Sequence, residues 1–260
     1  MTPKRAESYQ GKAIVLQHAN PEMAFAEAID LFHPKQRQVG IAQSACIHES
    51  AKLAENIWID AHASLAENVE IEEGVEIHAG ARIGVRCKIG KNTIIYPNAV
   101  LYPGVEVGEN CIIHANANVG VDGFGYVRGK TWRKIQHVGS VIMQDNVEIG
   151  AGTCIDRGML DNTVIGEGAK LDNIIQIGHN VVIGSRTIMA ACTGVAGSTR
   201  LGKDCMIGGG SIINGHINIV DQTVLCGGSA VMRPIEKPGV YGSSMTIMPH
   251  KNWLRLLSLL

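Results

Sequence analysis

The decapeptide LDNIIQIGHN (171–180) places His179 just behind Ile177 and Gly178, in a chain whose branched aliphatic residues recur every six positions. Three such units, 18 residues, lead from His179 to Gly197 and from Ile177 to Val195, so the two stretches share one phase. If three units make one turn of a solenoid, Gly197 stacks above His179 at about one strand spacing, ~4.8 Å. Lacking a side chain, Gly197 leaves its backbone N–H accessible. An imidazole beside an open N–H is the minimum kit for acyl transfer, because the base takes the nucleophile's proton and the donor holds the oxyanion. His216, at the fourth place of the unit opened by Ile213, falls two turns from His179, roughly 10 Å away. At that distance it shares neither a proton nor a metal with His179, and it suits a distal part of the substrate or a neighbouring subunit's site. Asp172, Asn173 and Gln176 lead into the His179 corner, where they can orient the imidazole or bind sugar hydroxyls.

A histidine at a solenoid corner is more often an exposed surface residue than a catalyst. Among the ten histidines, only His179 combines a coil-stacked glycine with polar residues just upstream. His78 and His114, at the second place of their units, read as solvent-facing, and His137 has no assigned role. Zinc is not expected, since no HxxH or HxxxxH spacing occurs near His179. DGFG (122–125) is a weak phosphate-loop pattern and reads better as a tight turn.

These residues need a scaffold, and the period of six supplies it. The aliphatic series runs from Ile41 through Ile47, Leu53 and Ile59 to Val119, then restarts at Ile165 and continues to Val231. Four residues after each member comes a second slot of small or β-branched residues, with Ile57, Ile175 and Ile217 as large exceptions. A helix needs period 3.6 and an ordinary strand period 2, so period six predicts a parallel β-helix of stacked short strands. About nine to ten coils at ~4.8 Å each make a prism about 45 Å long. Gly120–Ile142, glycine-rich and aromatic, reads as a projecting loop, and a four-residue frame shift between Ile155 and Ile165 reads as a small bulge. Residues 1–40 fall outside the repeat. There Ala13–Leu16 suggests a short strand, and Asn20-Pro21 opens a helix whose Met23, Ala26, Ile29 and Leu31/Phe32 have the spacing to cover the end of a core. A solenoid without activity is the alternative that repeats alone permit.

Composition narrows the class further. A formal net charge of -1, with scattered basic residues, gives no footprint for nucleic acid or an anionic membrane. The seven cysteines are odd in number and contain no CxxC pair, which reads as reduced thiols in a cytoplasmic protein. The first residues lack the apolar stretch of a signal peptide, and nothing later approaches the ~18 continuous apolar residues of a membrane span. With aromatics at 4% and 31 glycines, the core is aliphatic and the corners tight.

The strings GVDGFGYV (120–127), NVEIGAGTCIDRGMLDNTVIG (146–166), LDNIIQIGHNVVIG (171–184), GSTRLGKDCMIGGGSIINGHI (197–217) and PGVY (238–241) resemble the UDP-3-O-(3-hydroxyacyl)glucosamine N-acyltransferase family of lipid A synthesis. The likeness covers about residues 41–255. It implies an all-β, left-handed parallel β-helix over 41–232 with the projecting loop 120–142, a short α/β remnant of a nucleotide-binding domain over 1–40, and a C-terminal extension with a short helix over 233–260. Within residues 1–40, AIVLQHANPEMAFAEAIDLF (13–32) resembles only the closing strand and helix of the family's larger N-terminal uridine-binding domain. Also implied are a homotrimer with sites between subunits, no permanently bound cofactor, and transfer of an (R)-3-hydroxyacyl chain to the 2-amino group of UDP-3-O-acylglucosamine. The donor is the 4′-phosphopantetheine thioester of acyl carrier protein. The family's base matches His179, its oxyanion donor Gly197 and its second histidine His216. Ala230 stands where a methionine limits the acyl pocket in relatives, which leaves room for a longer chain. Two other readings remain compatible: a non-catalytic truncated paralogue that trimerises and binds acyl carrier protein, or an acyltransferase for another amino or hydroxy sugar.

Overall fold

The computed structural model describes residues 11, 15–34, 38–243 and 249–257. They belong to two compact units, Met1–Gln38 and Val39–Leu260. In the first, a helix spans Pro21–Phe32, and Asn20 caps it by accepting the Met23 N–H at 3.2 Å. Proline at the first helical position lacks only an N–H that would have gone unpaired there. None of the helix residues is buried. Of the expected strand, Ala13 and Ile14 lie outside the described residues, while Val15 and Leu16 form none.

The second unit is the solenoid. Most of its strands are two residues long and pair in parallel with the strand one turn later, as Ile59 with Ile77 and Ile177 with Val195. Every third strand joins the same sheet, giving three sheets of 11, 10 and 9 strands. Together they form a left-handed parallel β-helix. From Ile59 onward the repeating aliphatic points inward and its predecessor outward: Ile59, Ile77, Ile95 and Ile113 are fully buried. Small residues of the second slot, among them Ala63, Ala81, Ala99 and Ala117, are equally buried because the inner corners leave little volume. Threonines there satisfy their hydroxyls locally, as Thr93 Oγ1 donates to the Gly108 carbonyl at 2.9 Å.

Each corner bends through one left-handed residue, three positions after the inward aliphatic. Asn68, Asn92, Asn98, Asn110 and Asn180 hold φ between 55° and 60°. Asparagine tolerates this region, whereas a β-branched side chain does so only under strain. Ile174, with φ 57°, is therefore the outlier.

Two insertions break the 18-residue step, both next to the His179 corner. Ile113 pairs with Ile149, a full turn further along the chain than the repeat requires. The extra residues project as an antiparallel hairpin, Tyr126–Arg128 against Trp132–Lys134. Ile149 then pairs with Leu171, four residues late. This shift, expected as a small bulge, is an enlarged corner turn at 158–162. The solenoid also passes the expected boundary at 232, since Gly239–Tyr241 adds a final strand beside Thr223–Leu225. A helix at His250–Leu257 agrees with the expected short C-terminal helix.

Candidate active site

His179 lies half-buried at the corner between the Gln176–Ile177 and Val182–Ile183 strands. Gly197 is one turn above, and a Cβ built on it would fall 2.7 Å from His179 Nε2. The imidazole therefore rests directly over the glycine, in space that only hydrogen leaves free. Among the described residues, the Gly197 N–H has no hydrogen-bond partner. Gly123 of the projecting loop packs on the opposite side, where its Cβ would stand 2.8 Å from both His179 Cβ and His137 Nε2. His137 is 5% exposed, and its ring meets His179 edge-on at 5.4 Å. Its Nδ1 donates to the Ile135 carbonyl at 3.1 Å. DGFG is a close-packed turn, with the Gly125 N–H bonded to the Gly123 carbonyl.

Asn180 decides which imidazole nitrogen is basic. Its amide is fixed from two directions: the Met159 N–H donates to Oδ1 at 2.9 Å, and Nδ2 donates to the Asp161 carbonyl at 3.2 Å. Oδ1 is thus an acceptor, so His179 Nδ1, 3.0 Å away, must carry the proton. Nε2 is left with its lone pair toward Gly197 and the cavity, the tautomer a general base needs. Met159 and Asp161 both belong to the four-residue insertion. The irregularity in the repeat is therefore what holds the residue that orients the candidate base.

The open side of the site is a cavity of about 580 Å³ between this edge and the projecting loop. Phe124 and Tyr126 wall one side, and Asp156, Gln176, His179 and Gly197 the other. Gln176 donates to Asp156 Oδ1 at 3.0 Å. Burial pushes the Asp156 carboxyl up to about 6, against the pull of the Gln176 hydrogen bond and of His179. Asp122 is held below the usual carboxylate range by its hydrogen bond and ion pair with Lys134.

The other expected site residues lie elsewhere. Asp172 Oδ1 and Oδ2 accept the Asn173 and Ala191 N–H groups, and Asn173 Oδ1 accepts that of Ala151. Both brace a different corner and, with Lys170 and His114, line a separate hollow of about 740 Å³. Within one chain the orienting role expected of them is taken by Asn180. His216 is exposed at a left-handed corner, and its N–H bonds the Gly197 carbonyl. Ala230 shares an outward column with Gln176, Gly194 and Ile212, three turns above Gln176. His78 and His114, expected to face solvent, are half-buried and stack on either side of Tyr96 at 5.1 and 5.0 Å.

The fold is shared with solved acyltransferases. A UDP-N-acetylglucosamine O-acyltransferase from Moraxella catarrhalis superposes with TM-score 0.61 at 20% identity, covering 78% of this chain and 71% of that one. A UDP-N-acetylglucosamine acyltransferase from Campylobacter jejuni gives 0.58 at 22%, covering 75% and 68%. Residues 86–120 match the bacterial transferase hexapeptide (six repeats) family, and 198–233 match the hexapeptide repeat of succinyl-transferase. More specific is a UDP-3-O-acylglucosamine N-acyltransferase from Coxiella burnetii, 41% identical over 238 residues, covering 90% of this chain and 70% of the relative. This chain belongs to that family. A relative of the same name from Hahella chejuensis is 50% identical, over 58% of this chain and 43% of its own length. The chain thus spans less than half of that relative.

Proposed function

We propose that this chain moves a 3-hydroxyacyl group from the 4′-phosphopantetheine thioester of acyl carrier protein to the 2-amino group of UDP-3-O-acylglucosamine, as the family name suggests. One observation carries the reading: His179 and Gly197, whose N–H has no partner among the described residues, line the same cavity with Nε2 against the glycine. In the reaction the amine attacks the thioester carbonyl carbon, and the Gly197 N–H stabilises the oxyanion. His179 removes a proton from the attacking nitrogen. Collapse breaks the C–S bond, and the imidazolium returns that proton to the departing sulfur, leaving an amide and a free thiol. No resident cofactor is required, because the donor carries its own activated carbonyl.

We also propose a homotrimer with sites between subunits. Ile188 and Met206, paired on one sheet, and Ile212 on another expose 41%, 51% and 64% of their surface, apolar area that a second copy would cover. His216, Asp172 and Asn173, remote from His179 within one chain, then suit a site completed by a second copy. Among the described residues no helix is long and apolar enough to cross a membrane, and the carrier-bound donor fits a cytoplasmic enzyme.

The test is an assay of the purified chain with 3-hydroxyacyl carrier protein and UDP-3-O-acylglucosamine. Steady formation of the N-acylated sugar is expected, and a trimer with tight binding but no product would favour a non-catalytic role instead. A further expectation concerns chain length. The column Gln176, Gly194, Ile212 and Ala230 is about 14 Å long at ~4.8 Å per turn, and the acyl chain is placed along its upper, apolar part. Filling its far end by Ala230→Met should shift preference toward shorter donors by about tenfold, the discrimination available from one or two methylenes. Unchanged ranking of donors of graded length would place the acyl chain elsewhere.

A further inference from the structure

Asp156 is the one carboxyl group of the cavity without a positive partner. It is 9% exposed, and what remains accessible opens on the space shared with His179 and Gly197. Its strand neighbour Ile155 pairs with Ile177, so Asp156 sits one turn below Gly178, beside His179. Oδ1 accepts from Gln176 Nε2, which is also bonded to the Ile177 carbonyl at 3.3 Å and so is held in place. The charged and titratable groups around Asp156 are His179, Asp122 and Cys154, and Asp122 already has Lys134. Among the described residues no lysine or arginine pairs with Asp156. A desolvated carboxylate with only a neutral donor is costly to the fold. Such an arrangement is characteristic of sites where a ligand supplies the missing charge.

We propose that Asp156 is a further substrate-contacting residue, whose carboxylate takes the amino group of the acceptor and thereby selects an amine over a hydroxyl at that position. The inference rests on the acyl-transfer reading and adds the basis of its acceptor specificity. An amino sugar arrives largely as its ammonium ion, and the cavity offers that ion one matching charge, next to the base that must later deprotonate it. After one ammonium proton passes to water through the open mouth, a remaining N–H stays on Asp156. The nitrogen lone pair is then free to attack the thioester, and the second proton goes to His179. Gln176, rigidly held, fixes the direction of the carboxylate.

Binding of UDP-3-O-acylglucosamine and of its 2-hydroxy counterpart, UDP-3-O-acylglucose, to the full chain tests this without requiring turnover. Wild type should bind the amine at least tenfold more tightly, and parity would overturn the proposal without any variant being made. Asp156→Asn keeps the shape and an acceptor for Gln176 while removing the charge. It should weaken the amine about 10- to 100-fold, the range of a charge-assisted hydrogen bond. Affinity for the hydroxy analogue and the KM for acyl carrier protein should stay within about threefold, a split that general loosening of the site would not produce. Equal losses for both sugars, or none, would remove Asp156 from amine recognition. A wild type that prefers the amine but forms no product would instead refute the acyl-transfer reading and leave this one standing.

Discussion

His179→Ala is expected to lower kcat by 10²- to 10⁴-fold, about 3–5 kcal/mol of transition-state stabilisation, with the fold and sugar affinity nearly unchanged. The side chain is half-buried at a corner and makes one hydrogen bond, to Asn180, so its loss costs little structure. Its chemical contribution is larger because the tautomer is settled in advance. The Met159 N–H and the Asp161 carbonyl fix Asn180, Asn180 fixes Nδ1–H, and Nε2 needs no reorganisation to accept a proton. Residual activity should survive, since the Gly197 N–H still polarises the thioester. Single-turnover kinetics on the purified variant is the measurement, and a rate within threefold of wild type would remove His179 from the chemistry.

The scaffold around this histidine is legible in the sequence because packing enforces it. A β-helix coil needs an aliphatic at its inward strand positions, so Ile59, Ile77 and Ile95 write the coil length directly into the chain, and the Ile177–Val195 register follows. Stacking Gly197 on His179 needs nothing more than that register. The residues that complete the site obey no such rule. Asp156 occupies the outward second place held elsewhere by Asp60, His78 and Tyr96, and only the depth of the cavity beneath the projecting loop distinguishes it. Asn180 looks like any left-handed corner asparagine, since Asn68, Asn92 and Asn98 stand at equivalent places for backbone reasons alone. The four-residue frame shift marks the place, but which donors it supplies depends on how the enlarged turn folds back. Asp172 and Asn173 mislead for the complementary reason. They precede His179 closely in sequence, yet a corner intervenes and sends their side chains to backbone N–H groups of the turns on either side.

The close approach of Gly197 to the imidazole separates the geometry of the site from its composition. A methyl group at residue 197 would lie 2.7, 2.9 and 3.0 Å from Nε2, Cε1 and Cδ2 of His179, too near to coexist with the ring where it stands. The obstructed atoms are the end of a side chain that can swing toward the cavity, so Gly197→Ala should change Tm little. Its backbone N–H, the oxyanion donor, is kept. The base is what moves, and a displacement of about 1 Å in a reacting group can cost about 100-fold. Gly197→Ala is therefore expected to lose on the order of 10² in kcat with Tm within a few degrees of wild type. Gly178→Ala provides the contrast, because there the new methyl meets the Gly197 nitrogen at 2.7 Å and the Val195 oxygen at 3.0 Å, and backbone has to yield. That variant should lose stability first. The decisive comparison is the double variant: if Gly197→Ala acts by displacing the imidazole, adding it to His179→Ala should cost nothing further, since the ring it displaces is gone. Multiplying losses in the double variant would mean that the methyl group damages the oxyanion donor itself, and the stacking of base on glycine would no longer account for the pair.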